Sequence, residues 1–405
     1  MKNTKILPVI VIAVSMLLNA CSAAGLSIAA PAPLSNTTTR SNPASAPLAA
    51  NPQAVADVTA LQSAYEAVFQ IVNPSVVTIE IGSRVTGTNG PGGLGRQGNG
   101  QVVPVAEGSG FIWDASGHIV TNNHVVTGAD KITVTFSDGS SYGAKLIGTD
   151  PNTDLAVIQV TGAQASLLKP ITVGDSTQVK VGEMVVAVGN PFGLANTMTT
   201  GIVSAISRSI QAGSSSQNSN APSFSIPDVI QTDAAINPGN SGGVLVDMSG
   251  ALIGVPSQIE SQSGSNSGVG FAIPSAIVNK VVPQLISKGV AVHSFLGISG
   301  TTVNSDVVSA LNLKAGQQGV LVASVVPGGP AEKAGLKPAT VDASGTPTAV
   351  GDIITGIDGR SIVTFEDLVS YLSANTQPGQ SVILNVLRAG SDTTVQVTLG
   401  TQPTK

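Results

Sequence analysis

Cysteine is almost missing from this chain: Cys21 is the only one in 405 residues. An intrachain disulfide is excluded, and so is a metal site built on a cluster of thiolates, which leaves stability to the apolar core. Histidine is scarce as well, with only His118, His124 and His293, and they form no paired-histidine motif. No metal and no organic cofactor is therefore expected. Charged residues make up 10% of the chain and the net charge is −5, so no basic surface speaks for nucleic acid. The length allows two or three domains.

The first residues are unlike the rest. Lys2 and Lys5 precede an apolar run from Ile6 to Leu18, followed by Leu18-Asn19-Ala20-Cys21. A charged start, a short apolar stretch and a small residue before a cut make an export signal. The junction resembles a bacterial lipobox, in which Cys21 would be lipidated and become the mature N-terminus. The other reading is an uncleaved anchor, because Ile6 to Leu26 carries no charge and nearly spans a bilayer. Either way the body of the chain is expected outside the cytoplasm. Residues 1–20 are thus assigned to a lipoprotein-type signal and 21–60, rich in Ala, Ser, Pro, Thr and Asn, to a flexible tether.

One stretch makes chemical demands on the rest: Gly239-Asn240-Ser241-Gly242-Gly243. A serine hydroxyl becomes a good nucleophile only when a base takes its proton, and an attacked carbonyl needs donors for its oxyanion. Glycines beside Ser241 allow a tight bend and let backbone N–H groups of Gly239, Asn240 and Ser241 converge, whereas Pro238 has none to offer. Alone, such a run is equally compatible with a surface turn. The chain also supplies His124, in Thr121-Asn122-Asn123-His124-Val125-Val126, and Asp154, in Asn152-Thr153-Asp154-Leu155-Ala156-Val157. His118 and His293 read instead as packing or surface residues, Asp114, Asp150 and Asp175 as turn formers, and Asp233 as an anchor for the loop ahead of the serine.

Those three blocks, with Thr232-Asp233-Ala234-Ala235-Ile236-Asn237-Pro238 leading into the last, resemble the HtrA/Deg family of serine proteases over about Leu61 to Leu399. The resemblance implies a mainly β fold, a chymotrypsin-like double β-barrel protease domain over 61–290 followed by one PDZ domain (α+β) over 291–402. It implies that His124 is the general base, Asp154 its orienting carboxylate and Ser241 the nucleophile. By the same resemblance Ile236 and Ile259 line the S1 pocket, which favours Val, Ala or Ile over Arg at P1. A homotrimer is the family default.

Periodicity supplies part of this independently. Leu61 to Val72 has helical spacing, Val76–Ile81 reads as the first strand, and short apolar strands recur through Gly110–Trp113, His118–Thr121, Leu155–Val160, Met184–Val188, Thr199–Ile206, Val244–Met248 and Val269–Ile273. Gly82 to Glu107, Gln211 to Ser225 and Gln258 to Gly268 read as loops. Ser275 is placed to cap a helix that ends at Gly289. Beyond it, Ser294-Phe295-Leu296-Gly297-Ile298, Gly319–Val322, Gly351–Gly359, a helix at Phe365–Ser373 and strands at Val382–Arg388 and Thr393–Leu399 follow the order of a permuted bacterial PDZ domain. Its resemblance assigns Phe295, Leu296, Gly297 and Ile298 to binding a peptide C-terminus as an added strand. A protonated His293 beside them would add charge for the carboxylate.

The function expected is an ATP-independent serine endopeptidase that cleaves unfolded or misfolded exported proteins, tethered to a membrane through lipidated Cys21. A chaperone or peptide sensor with latent proteolysis is the alternative.

Overall fold

Strands buried on both faces set the architecture. In the computed structural model, which describes residues 52–86, 99–190, 196–212, 224–257, 268–341 and 347–403, helix α1 (Pro52–Val72) leads into the first set of strands. These are β1 (Val76–Thr86), β2 (Asn99–Ile112), β3 (His118–Asn122), β4 (Lys131–Thr135), β5 (Ser141–Asp150) and β6 (Leu155–Val160), with the short helix α2 (Asn123–Val126) after β3. They close a barrel in the order β1-β2-β3-β6-β5-β4. A second closed barrel, β10-β11-β12-β9-β8-β7, uses β7 (Met184–Gly189), β8 (Thr197–Ala212), β9 (Phe224–Thr232), β10 (Val244–Val246), β11 (Leu252–Ser257) and β12 (Gly270–Pro274).

The alternation of a strand sends successive side chains to opposite faces. In β6, Ala156 and Ile158 fill the first barrel with Ile79, Ile112 and Ile119. Leu155 and Val157 point the other way, into a core shared with Val186, Val188, Val244 and Val246 of the second barrel. Both faces are apolar, so Leu155-Ala156-Val157-Ile158 has no polar alternation. Each large aliphatic side chain so buried contributes about 1.5–3 kcal/mol, and the shared core fuses the barrels into one body. Gly110 is required by the same packing, since a Cβ there would lie 2.7 Å from Ile79 Cδ1 and 2.8 Å from Ile119 Cγ2.

Several boundaries differ from expectation. Helix α1 starts nine residues before Leu61 (61 − 52), with Val58 66% and Leu61 42% exposed; its first turns rest on good helix formers and on the Gln53–Asp57 side-chain bond of 2.8 Å rather than on burial. The expected loop at 82–107 is strand at both ends, β1 running to Thr86 and β2 starting at Asn99. Strand β9 was not foreseen. It contains Pro227, Asp228 sits at φ 59°, and its register with β8 shifts three times, so no period of two survives in the sequence.

Helix α3 (Ser275–Lys288) follows the second barrel and ends, as expected, on Gly289 at φ 76°. Its start corrects the reading of Ser275, which is the first helical residue and fully buried. Its hydroxyl donates to Gly174 O at 2.8 Å, while Ser176 Oγ accepts from Ala276 N at 3.0 Å and does the capping.

The C-terminal module consists of β13 (Ser294–Phe295), β14 (Ile298–Thr302), α4 (Ser305–Ala310), β15 (Val320–Val325), α5 (Pro330–Lys333), β16 (Thr340–Val341), β17 (Pro347–Ala349), β18 (Ile353–Ile357), β19 (Arg360–Ser361), α6 (Phe365–Asn375), β20 (Ser381–Arg388), β21 (Ser391–Thr398) and β22 (Gly400–Thr401). Its main sheet runs β14-β15-β18-β20-β21, with β14 at an edge. A capping box between Thr364 and Asp367 starts α6. Lys280 of α3 donates to Ser373 O and, at 2.7 Å, to Thr376 O, which satisfies carbonyls at the end of α6. Burial holds its ammonium below the ordinary lysine value. No helix among the described residues is long and apolar enough to cross a membrane.

Asp352 is fully buried and accepts from Arg388 Nε at 2.8 Å, Arg388 Nη2 at 2.6 Å and Lys337 N at 2.8 Å. The Asp352 hydrogen bond also raises the guanidinium above its usual value. Replacing Arg388 by Met should strand that carboxylate and cost about 3 kcal/mol, read as a lower urea midpoint. An unchanged midpoint would show that the pair holds nothing.

Candidate active site

Asp154 stands at the head of β6 with φ 55°, a left-handed conformation that Asp and Asn adopt more readily than other side chains. The bend turns its carboxylate back toward the end of β3, where α2 presents His124. Asp154 Oδ1 accepts from the backbone N of His124 at 3.0 Å, and Oδ2 lies 2.8 Å from His124 Nδ1. The backbone carbonyl of Asp154 accepts from Asn123 N and from Asn122 Nδ2, each at 3.0 Å. A third side chain, Ser257 at the end of β11, donates its hydroxyl to Asp154 Oδ2 at 2.7 Å. The Asp154 side chain is 4% exposed and that of His124 43%, so the acid is sealed and the imidazole faces outward. An acceptor-only carboxylate at Nδ1 selects the tautomer with its proton on Nδ1 and leaves Nε2 as the base.

The serine loop arrives from the second barrel. Gly239 (φ 95°) and Gly242 (φ 81°) take conformations that suit glycine alone. A Cβ on Gly242 would run into Ser109 O and Thr121 Oγ1, so the loop presses directly against the strand that leads to His124. Gly242 N donates to Pro256 O at 2.9 Å, and the next residue, Ser257, is the one bonded to Asp154. Gly242, next to Ser241, and Asp154 are thereby fastened to adjacent residues of β11. Ser241 is 3% exposed.

Asn240, expected among the oxyanion donors, spends its amide on Asn237 O at 2.9 Å and shapes the loop instead. Asp233 anchors the approach, its Oδ1 accepting from Ile202 N at 2.7 Å. Ile236 is 7% exposed and packs in the second-barrel core against Gly270. Its expected pocket partner Ile259 lies outside the described residues, as does Cys21.

In the C-terminal module, Gly297 takes φ 79° between β13 and β14. The carbonyls of Leu296 and Gly297 accept from Ala331 N at 3.0 Å and Val326 N at 2.8 Å. Leu296 is buried in the module's core, and Phe295 lies half-buried beside it. Ile298 opens the edge strand β14. His293 does not serve this loop: its Nε2 lies 2.9 Å from Asp150 Oδ2. Asp150 also accepts from Thr153 Oγ1 and from Asn152 N at 3.3 Å, so it shapes the turn that delivers Asp154. His118 is likewise paired, with Asp114 at 2.7 Å.

Sequence reasoning missed Ser257 and Ser109. Each is a lone serine in a strand, with no local pattern to mark it, and both act across the barrel junction.

Residues 108–255 match the trypsin-like peptidase domain and residues 294–399 the PDZ domain. A probable periplasmic serine endoprotease, DegP-like, of Brucella suis is 42% identical over 304 residues, which are 75% of this chain and 54% of that protein. The periplasmic pH-dependent serine endoprotease DegQ of Escherichia coli is 42% identical over 295 residues, 73% of this chain and 59% of its own length. The chain thus spans little more than half the length of these curated relatives. The solved structure of the HtrA-type protease AlgW with a decapeptide aligns with TM-score 0.62 and 34% identity, covering 84% of this chain and 99% of that one.

Asparagine tolerates the backbone of residue 154 as well as aspartate does. Asp154→Asn should melt within about 3 °C of the wild type yet lose the low-field proton NMR signal of His124 Nδ1–H. Retention of that signal would remove Asp154 as its partner.

Proposed function

Because the chain belongs to the HtrA family of serine proteases, we propose that it is an ATP-independent serine endopeptidase acting on unfolded or damaged exported proteins. One observation carries the reading: Oδ2 of Asp154 takes both His124 Nδ1 and the Ser257 hydroxyl, and Ser257 adjoins the carbonyl that holds Gly242. Ser241 Oγ attacks the scissile carbonyl while His124 Nε2 takes its proton. The same imidazolium protonates the leaving amine, and a water repeats the sequence on the acyl-enzyme. Asp154 holds the tautomer and favours the imidazolium. The N–H groups of Gly239 and Ser241 receive the oxyanion.

An extended chain fits a cleft between two barrels and a folded one does not, which favours unfolded substrates. The aliphatic surroundings of Ile236 favour Val or Ala at P1, with Ile259 as the second wall. The edge of β14, entered through Phe295, Leu296 and Gly297, takes a peptide C-terminus as an added strand. Export follows from the N-terminal signal and agrees with relatives named periplasmic. Lipidation of Cys21 and assembly into a homotrimer complete the reading.

A fluorophosphonate should label Ser241 in the wild type, and Ser241→Ala should lower casein cleavage by about 10⁴-fold or more. Equal digestion by the two forms would remove Ser241 from the chemistry. A peptide library should show Val or Ala ahead of Arg at P1; the opposite order would refute the pocket assignment alone.

A further inference from the structure

Ser109 lies in β2 between Gly108 and Gly110, 130 residues from the serine loop, and is fully buried. All of its polar groups are engaged, and each partner belongs to the neighbourhood of Ser241. Its hydroxyl donates to Gly239 O at 2.5 Å and accepts from Asn190 N, just past the end of β7, at 2.7 Å. Its backbone N donates to Ser241 O at 2.9 Å, and its carbonyl accepts from Thr121 Oγ1 at 2.7 Å.

The geometry points to Ser109 as the positioning residue that aims the two amides of the oxyanion hole; this deepens the serine-protease reading and rests on it. Gly239, at φ 95°, has no Cβ to resist rotation of its peptide planes. Two hydrogen bonds hold the plane between Gly239 and Asn240: Ser109 Oγ grips the carbonyl, and Asn240 N reaches Asn237 O. On the far side of Ser241, its own carbonyl is held by Ser109 N. The peptide planes that follow Gly239 and Ser241 therefore both answer to one residue of the other barrel, and each is joined through a single Cα to the plane that carries an oxyanion N–H. The run from Asn190 N–H through the Ser109 hydroxyl to Gly239 C=O is a polarised chain, stronger than two separate bonds. An oxyanion hole works only when its donors are fixed before charge develops.

Ser109→Ala keeps Ser241, His124 and Asp154 and removes only the hydroxyl. It should lower kcat by about 10- to 100-fold with KM within about 3-fold, per site titrated by fluorophosphonate. A peptide boronate, whose tetrahedral adduct places an oxygen in the hole, should lose affinity by the same factor as kcat/KM. Affinity for an uncleaved peptide on Ser241→Ala should not change when Ser109→Ala is added. Ser109→Cys, which keeps the volume but is a weak donor, should behave like the alanine variant should the latter fold poorly, and Ser109→Thr should recover activity. Unchanged kcat/KM, or a loss that boronate affinity does not follow, would overturn the proposal. A wild type that fluorophosphonate fails to label at Ser241 would instead defeat the serine-protease reading itself.

Discussion

The arrangement depends on one buried carboxylate. Asp154 takes donors from the His124 backbone, the His124 ring and the Ser257 hydroxyl, and these come from two barrels. Burying a charge is costly unless each lone pair finds a partner. The cost is met only when β3, β6 and β11 lie together, so the interaction that sets the imidazole also registers one barrel against the other. The shared apolar core supplies the bulk of the stability. The carboxylate supplies the alignment.

Much of this was legible in the chain because the chemistry is local. Gly242 and Gly243 are forced by crowding around the loop and Gly239 by its φ of 95°, and constraints of that kind leave glycines in the sequence. The block containing Asp154 is equally readable, since a left-handed aspartate before a strand buried on both faces gives an acid followed by an unbroken aliphatic run. What could not be read is what is made at a distance. Ser109 and Ser257 carry no pattern, and their partners lie 130 and 103 residues away. Strand β9 was hidden for a different reason. Pro227 and the positive φ of Asp228 interrupt its alternation, although the hairpin with β8 persists through its bulges. His293 was placed correctly in the chain but given the wrong partner, because the demand of buried Asp150 is invisible until the fold brings the two within 2.9 Å.

Hydrogen bonds tie the two modules together. Lys280 donates to the last carbonyls of α6, and His293, just ahead of β13, reaches back to Asp150 at the foot of β5. Both bonds join the protease body to elements of the C-terminal module that flank its edge strand. Asp150 also governs the turn leading to Asp154. Asp150, which receives His293 from the entrance of the C-terminal module, stands four residues before Asp154 on that turn.

That junction bears on any shortened form of the molecule. Severed after Gly289, the barrels would forfeit the ring that neighbours Asp150, and the amine of Lys280 would be left without its two acceptors. An excised two-barrel half is therefore chemically distinct from the same half in the intact polypeptide, altered at the very bend from which Asp154 projects.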